Sequence, residues 1–223
     1  MDGSFVVAPI LIITLYAFTT DDGGFTLSNF QDMAQYTSAF GRSFLLAAIA
    51  TVVCLLIGYP LAYLLARESG WLHRMANMLI MLPMWMNFLL RTYSWKFLLE
   101  RHGLINTLLG LLGLGPFQMI DTQGAIVLGM VYNFLPYMVL PIFSVIEKID
   151  PKVIEAAQDL GADSITVFRR VILPLSLPGV LSGITMVFIP SVSTFAISRL
   201  LGGSKTLLLG NLIDMQFLGS AYN

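Results

Sequence analysis

A polar stretch between two long apolar segments carries the side chains best suited to bind a partner protein. It reads Glu-Ala-Ala-Gln-Asp-Leu-Gly from Glu155 to Gly161. A carboxylate held within a protein contact would pair with an arginine or lysine of the partner through a charge-assisted hydrogen bond. The small Ala156 and Ala157 beside it allow a partner surface to come close. The chemistry predicted for this stretch is therefore docking.

A second set of side chains could interact with a cation. Trp85, Phe88, Thr92 and Trp95 are spaced to fall on one face of a helix. Aromatic rings attract cations, so this face could form a wall for a positively charged solute. Helix packing together with an interfacial position is the alternative explanation, because tryptophan is common at membrane boundaries.

Catalytic and metal-binding chemistry has little support in the sequence. No Ser–His–Asp or paired-carboxylate arrangement is evident, and the two histidines lack the spacing of zinc ligands. The run Gly202–Thr206 resembles a phosphate-binding loop only faintly, because its first glycine is wrongly spaced from Lys205. We therefore expect no enzyme activity, no metal site and no cofactor or nucleotide site in this chain.

Composition places the chain in a membrane. It is 57% hydrophobic and 11% charged, with a mean hydropathy of +0.80. Soluble domains average about 25% charged residues, so a soluble globular fold is excluded. The net charge of −1 gives no electrostatic footprint for nucleic acid.

The elements that must position these side chains are predicted to be membrane-spanning helices. A bilayer core requires about 20 helical residues, and the sequence predicts five spans, at 4–20, 43–66, 75–99, 122–147 and 177–198. The fold class is all-α, a polytopic helical membrane protein. Leu207–Leu218 looks like the approach to another span, so we expect a sixth helix that this sequence lacks.

The polar loop at 148–174 is predicted to contain two short helices. Asp150 can cap the first helix and Pro151 suits its first position. Gly161 is expected to end that helix in a left-handed conformation, and Asp163 or Ser164 to cap a second helix at 165–172. The first helix has an apolar stripe formed by Ile149, Val153, Ile154, Ala157 and Leu160. A capped amphipathic connection with no partner is the alternative.

The same loop resembles a family signature. Glu-Ala-Ala, three residues, glycine, nine residues, an aliphatic residue, one residue and Leu-Pro is similar to the EAA loop of permease subunits of ABC importers. The seven matching positions are Glu155, Ala156, Ala157, Gly161, Val171, Leu173 and Pro174. Val171 departs mildly from the usual isoleucine.

This resemblance implies a type I ABC importer permease, with 1–223 as one transmembrane domain. It implies that the seven residues couple the permease to a cytosolic ATPase dimer, which would bind ATP and magnesium. It also implies a second homologous permease subunit, an extracytoplasmic binding protein and a place in the inner membrane. Charge counting gives equal basic residues on both sides, so the orientation follows from the resemblance.

A second resemblance concerns the cargo. Leu82–Trp95 is similar to the third-span signature of spermidine/putrescine permeases, and Gly202-Gly203, Leu209–Asn211 and Gln216-Phe217 are similar to the stretch before their last span. It implies polyamine import, although permeases for thiamine, ferric iron and sulfate share parts of the pattern. The candidate pathway residues are Trp85, Asn87, Thr92, Tyr93, Trp95 and Asp214.

The residues themselves allow a polyamine without selecting one. No Asp or Glu lies within the middle of a predicted span, which favours low intrinsic affinity and capture of the cargo by a separate binding protein. Arg91 is expected to lie near the outer boundary, to snorkel or to pair, because an unpaired charge inside a bilayer is costly. An ATPase-independent channel or carrier is the other class, and it would need charged relay groups within the spans.

Overall fold

The structure, a computed structural model, describes residues 4–19, 24–25, 36–68, 70–203 and 208–218. Most of the predicted polar connection at 21–41, and part of the Gly202–Thr206 run, lie outside these residues. Contacts divide the chain into Met1–Gly41 and Arg42–Asn223. In the first unit, helix α1 (Ser4–Phe18) is followed by a stacked ring pair between Phe18 and Phe25, 5.7 Å between centroids.

Among the described residues, three helices are long and apolar enough to cross a membrane. They are α2 (Thr37–Arg67), α6 (Gln123–Ile146) and the continuous helix Ser164–Ser193, with mean hydropathies of 2.4, 1.8 and 2.0. Each exceeds the roughly 20 residues that a bilayer core requires. These helices correspond to the predicted spans at 43–66, 122–147 and 177–198.

The predicted single span at 75–99 is wrong in its continuity. The structure has two helices there, α3 (Trp71–Trp85) and α4 (Phe88–Leu99). Pro83 removes a backbone donor from the last turn of α3. Asn87 then begins a new helix, because its side-chain oxygen accepts hydrogen bonds from the backbone N–H groups of Leu89 and Leu90 at 2.8 and 3.4 Å.

The connection at 100–121 is held by one buried amide. Its short helix α5 (Leu104–Leu111) includes Asn106, which is 4% exposed. Asn106 Nδ2 donates to the carbonyl oxygens of Glu100 and Phe117 at 3.1 and 2.9 Å, and Asn106 Oδ1 accepts from Phe117 N at 2.9 Å. A single side chain therefore replaces the backbone pairing that this irregular segment lacks.

The second predicted helix of the polar loop does not stop at 172. Helix α8 (Ser164–Val167) leads through a π-helical stretch (Phe168–Ile172) directly into α9 (Leu173–Ser193). Pro174 cannot donate to the carbonyl four residues earlier, and nearby Leu173 N donates instead to Phe168 O, five residues back. The wider π turn thus carries the helix past Pro174 and beyond the predicted end at 172.

The main packing contact joins α9 to α6 at two glycines. A Cβ on Gly179 would lie 2.8 Å from the carbonyl oxygen of Pro141, and one on Gly183 would lie 2.8 Å from Met138 Sδ. Neither position has room for a side chain. Small residues that let helix backbones approach are a common means of packing in membranes.

The C-terminal part of the second unit contains a helix break at 194–195. Helix α9 ends at Ser193, and after Thr194 and Phe195 the short helix α10 (Ala196–Leu201) begins. The predicted span at 177–198 is therefore interrupted before its end. Helix α11 (Leu209–Leu218) follows, and Leu209 N donates to Ser43 Oγ of α2 at 2.7 Å.

Candidate functional site

The loop between α6 and α9 forms the predicted capped corner. Helix α7 (Pro151–Asp159) begins with Pro151 in its first turn, and Asp150 Oδ1 accepts from Lys152 N at 3.0 Å. Asp163 Oδ1 accepts from Thr166 N at 3.3 Å and so caps α8. Hydrogen bonds from Thr166, first through its side chain, lower the pKa of Asp163 below the ordinary value of 3.8. Asp163, rather than Ser164, is therefore the second cap.

Gly161 makes the sharp bend between these helices. Its φ is +84°, a left-handed conformation that glycine adopts without strain. Gly161 N donates to Gln158 O at 2.8 Å, and Ala162 N donates to Ala157 O at 3.1 Å. These bonds satisfy carbonyls at the end of α7. No other atom lies within 4 Å of a Cβ built on Gly161, so the glycine is required by conformation and not by space.

The corner presents its residues on two sides. Ile154 and Ala157 pack against the hydrophobic cluster beneath α7, while Glu155 and Ala156 are exposed. Leu160 was predicted to belong to the inward stripe, but its side chain is 89% exposed. That prediction is wrong because α7 ends at Asp159. Leu160 is its C-cap, and the chain bends away at Gly161.

A cleft of about 420 Å³ lies at the corner. Three of the predicted docking residues line it, Ala157, Gly161 and Val171, together with the exposed Leu160. Thr166 and Arg170 also line the cleft and were missed by the sequence analysis. They lie four residues apart in the predicted second helix, and this helical spacing was the signal that could have identified them.

The last two of the seven predicted coupling residues lie farther along the chain. Leu173 and Pro174 are exposed at the start of α9, beyond the π stretch. They do not line the cleft with Gly161 in this structure. They mark the point where the polar loop becomes the long apolar helix.

The corner is joined to α2 by aromatic contacts. Phe168 packs edge-on against Tyr59 and Tyr63, with centroid distances of 5.9 and 5.3 Å. Next to it, Val167 and Ile172 are each 1% exposed. The guanidinium of Arg67 lies 4.8 Å from the ring centroid of Tyr63. Phe168 therefore links the loop directly to α2 through its contacts with Tyr59 and Tyr63.

The predicted aromatic face is divided between two helices and two environments. Trp85 ends α3 and is 88% exposed, whereas Trp95 lies on α4, edge-on to Tyr132 at 5.4 Å. Thr92 is fully buried, with its hydroxyl donating to Phe88 O at 2.9 Å. The expectation of one continuous face is wrong because the chain breaks at Asn87.

Three members of the predicted set are exposed: Trp85 and Asn87 at the α3–α4 junction, and Tyr93 farther along α4. Asp214 on α11 is instead engaged with Arg199, whose Nη1 lies 3.2 Å from Asp214 Oδ2. The six candidate pathway residues are therefore not brought together in this structure.

A buried arginine was not anticipated in this position. Arg91 on α4 is 6% exposed, and its Nε and Nη1 have no hydrogen-bond partner among the described residues. Asn133 on α6 is 1% exposed, and its Oδ1 is likewise unpartnered within the described structure. Arg91 Nε and Nη1 thus do not pair among the described residues, and a position near the outer boundary stays a prediction.

Comparison with known proteins gives a consistent assignment. The model of the family "Binding-protein-dependent transport system inner membrane component" matches residues 58–223. The spermidine/putrescine transport system permease protein PotB of Haemophilus influenzae is 38% identical over 96% of this chain and 78% of its own length. PotB of Escherichia coli K12 is 39% identical over 96% and 82%.

A more distant relative and a solved structure agree. The inner membrane ABC transporter permease protein YdcU of Escherichia coli K12 is 30% identical over 78% of this chain and 60% of its own length. The crystal structure of a bacterial ABC transporter that imports the acidic polysaccharide alginate superposes with a TM-score of 0.81. It covers 98% of this chain and 80% of that one at 16% identity, which supports a common fold.

Proposed function

The chain belongs to the family of binding-protein-dependent inner membrane components of ABC importers, and on that premise we propose that it passes spermidine or putrescine through the membrane. The supporting observation is its 38–39% identity, over 96% of its length, to spermidine/putrescine permeases. The chain is not an enzyme, and we assign ATP and magnesium to a separate ATPase.

The capped corner supplies the proposed coupling element. Its cleft of about 420 Å³ combines exposed apolar surface at Leu160 with the guanidinium of Arg170. Glu155 lies exposed on the outer side of α7. A cytosolic ATPase could bury Leu160 and pair with these charges, and closure of the ATPase dimer would then pull on α7 and α9.

The accessible surface at the α3–α4 junction supports a modest role in guiding the cargo. Trp85 at this junction and Tyr93 farther along α4 expose aromatic rings, and such rings attract ammonium groups. Helices α2, α3, α4, α6 and α9 contain no Asp or Glu. A polycation would therefore be held weakly, and a second permease subunit would complete its path while a binding protein supplied affinity.

Uptake by the complete complex tests the proposal. Membranes containing this permease with its partner permease, ATPase and binding protein should accumulate labelled spermidine or putrescine in an ATP-dependent manner. Unlabelled polyamines should compete, whereas thiamine, ferric iron and sulfate should not. Competition by one of those solutes and none by polyamines would overturn the cargo, and leave the importer class standing.

An ATPase-independent carrier is separated by a second measurement. Transport by this protein alone, without nucleotide, would refute the proposed coupling. Co-purification with an ATPase whose hydrolysis rises when loaded binding protein is added would support it.

A further inference from the structure

An apolar groove runs between α2 and α9. Its volume is about 330 Å³. Its walls are formed by Leu55, Leu56 and Pro60 on one side and Leu173, Leu177 and Val180 on the other. The one polar group in its lining, the hydroxyl of Tyr59, is 2.8 Å from Ser176 Oγ and already hydrogen-bonded. The groove therefore offers an occupant hydrocarbon contact and no polar contact.

The walls of the groove end in basic residues on the side of the coupling corner. Arg169 precedes Leu173 by four residues, about one helical turn, and lines a separate cavity of about 290 Å³ with Arg170 and Thr166. On α2, Arg67 follows Tyr59 by eight residues and stacks on Tyr63. Phe168, which contacts both tyrosines, connects the two walls at this end.

Arg67 and Arg169 are both exposed, so their guanidinium groups are accessible to an anionic group. An apolar groove with arginines close to one end matches the polarity of a phospholipid, which has an acyl chain at one end and a phosphate at the other. Basic pockets between helices on the cytoplasmic side of membrane proteins bind anionic head groups.

The groove lies between two helices that are long and apolar enough to cross a membrane, so acyl chains of the bilayer can enter it from the side. An extended acyl chain is slender enough to lie along Leu173 and Leu177, whose side chains are 42% and 50% exposed.

We propose that this groove binds an anionic phospholipid of the cytoplasmic leaflet. Its phosphate lies between Arg169 and Arg67, and one acyl chain lies along Leu173 and Leu177. The lipid bridges α2 to the start of α9, next to the corner that couples to the ATPase. The site goes beyond the proposed function and does not depend on which solute is imported.

Native mass spectrometry of the complete complex, loaded with phosphatidylglycerol and phosphatidylethanolamine of identical chains, tests the site. Wild-type complex should retain phosphatidylglycerol preferentially. Arg169→Gln should lower that retention about fivefold, the factor that corresponds to about 1 kcal/mol per arginine near anionic lipid. Arg169→Lys should keep it. Leu177→Trp, which fills the groove, should reduce retention of both lipids.

Matched controls lie outside the groove. Arg101 is an exposed arginine just after the end of α4 and does not line the groove. Leu181 is an exposed leucine of α9 that does not line the groove either. Arg101→Gln and Leu181→Trp should leave retention unchanged. Arg170 stays intact in every variant because it also lines the coupling cleft.

Several results would overturn the site. Equal retention of the two lipids by wild type, or an Arg169→Gln variant that retains phosphatidylglycerol normally, would show that no anionic head group is bound. Efficient cross-linking of Leu177→Cys to the second permease would show that a helix occupies the groove. A wild-type complex that retains the lipid normally but does not take up polyamines would support the lipid site and contradict only the proposed cargo.

Discussion

Replacing Gly161 by valine tests whether the left-handed corner is what the ATPase recognises. Gly161 has a φ of +84°, and no atom lies within 4 Å of a Cβ placed there. A side chain therefore meets conformational strain without a clash. A left-handed conformation costs a non-glycine residue about 1–2 kcal/mol, and a β-branched residue is especially disfavoured there.

That cost should fall on coupling rather than on folding. Helix α7 has no buried residue, so the bundle can stay intact while the corner shifts to a conformation that valine tolerates. If the ATPase binds only the left-handed corner, 1–2 kcal/mol reduces the competent population about 5- to 30-fold. We expect the Gly161→Val complex to remain in the membrane, with uptake and stimulated ATP hydrolysis lowered by that factor.

Gly113 provides a control of equal strain at a different place. Its φ is +75°, and a Cβ there also has no atom within 4 Å. It follows α5, in the connection between α4 and α6. Gly113→Val should keep near-normal uptake per complex. Normal uptake by Gly161→Val, or an equal loss in both variants, would refute the reasoning.

Three further substitutions test other features. Leu160→Ser should weaken ATPase co-purification about 10- to 100-fold, because burying an exposed leucine contributes about 1.5–3 kcal/mol; unchanged co-purification would place the interface elsewhere. Arg91→Met should raise the thermal unfolding temperature by removing an unpartnered buried charge, whereas Arg91→Lys should not; a lower temperature would indicate a partner that the isolated chain lacks. Gly179→Leu should destabilise the α6–α9 contact by about 1–3 kcal/mol through overpacking, seen as a lower unfolding temperature, with Leu181→Ala as the exposed control.

Local chemistry made the coupling corner predictable. Asp150, Pro151, Gly161 and Asp163 each act through backbone groups within a few residues, and the structure places all four in their expected roles. The alternation of long apolar segments likewise predicted the three long helices. These features depend on the period and on the caps, which a sequence displays directly.

Tertiary effects limited the rest. The break at Asn87 depends on a side-chain cap in an apolar segment, where hydropathy alone predicts continuity. The passage of the helix through Pro174 depends on a π turn, which no residue pattern announces. The burial of Arg91 depends on how α4 is rotated in the bundle, which the sequence of α4 alone does not display.

The unbroken course from Ser164 to Ser193 makes this segment a lever. Thirty residues span about 45 Å at 1.5 Å per residue, which exceeds a bilayer core of about 30 Å. A rigid rod of that length that tilts by about 10° around its centre moves each end by about 4 Å. The rod stops at Thr194, where the helix ends. If the proposed ATPase moves the corner and the rod pivots at its centre, the joint between α9 and α10 would move by a similar distance in the opposite direction.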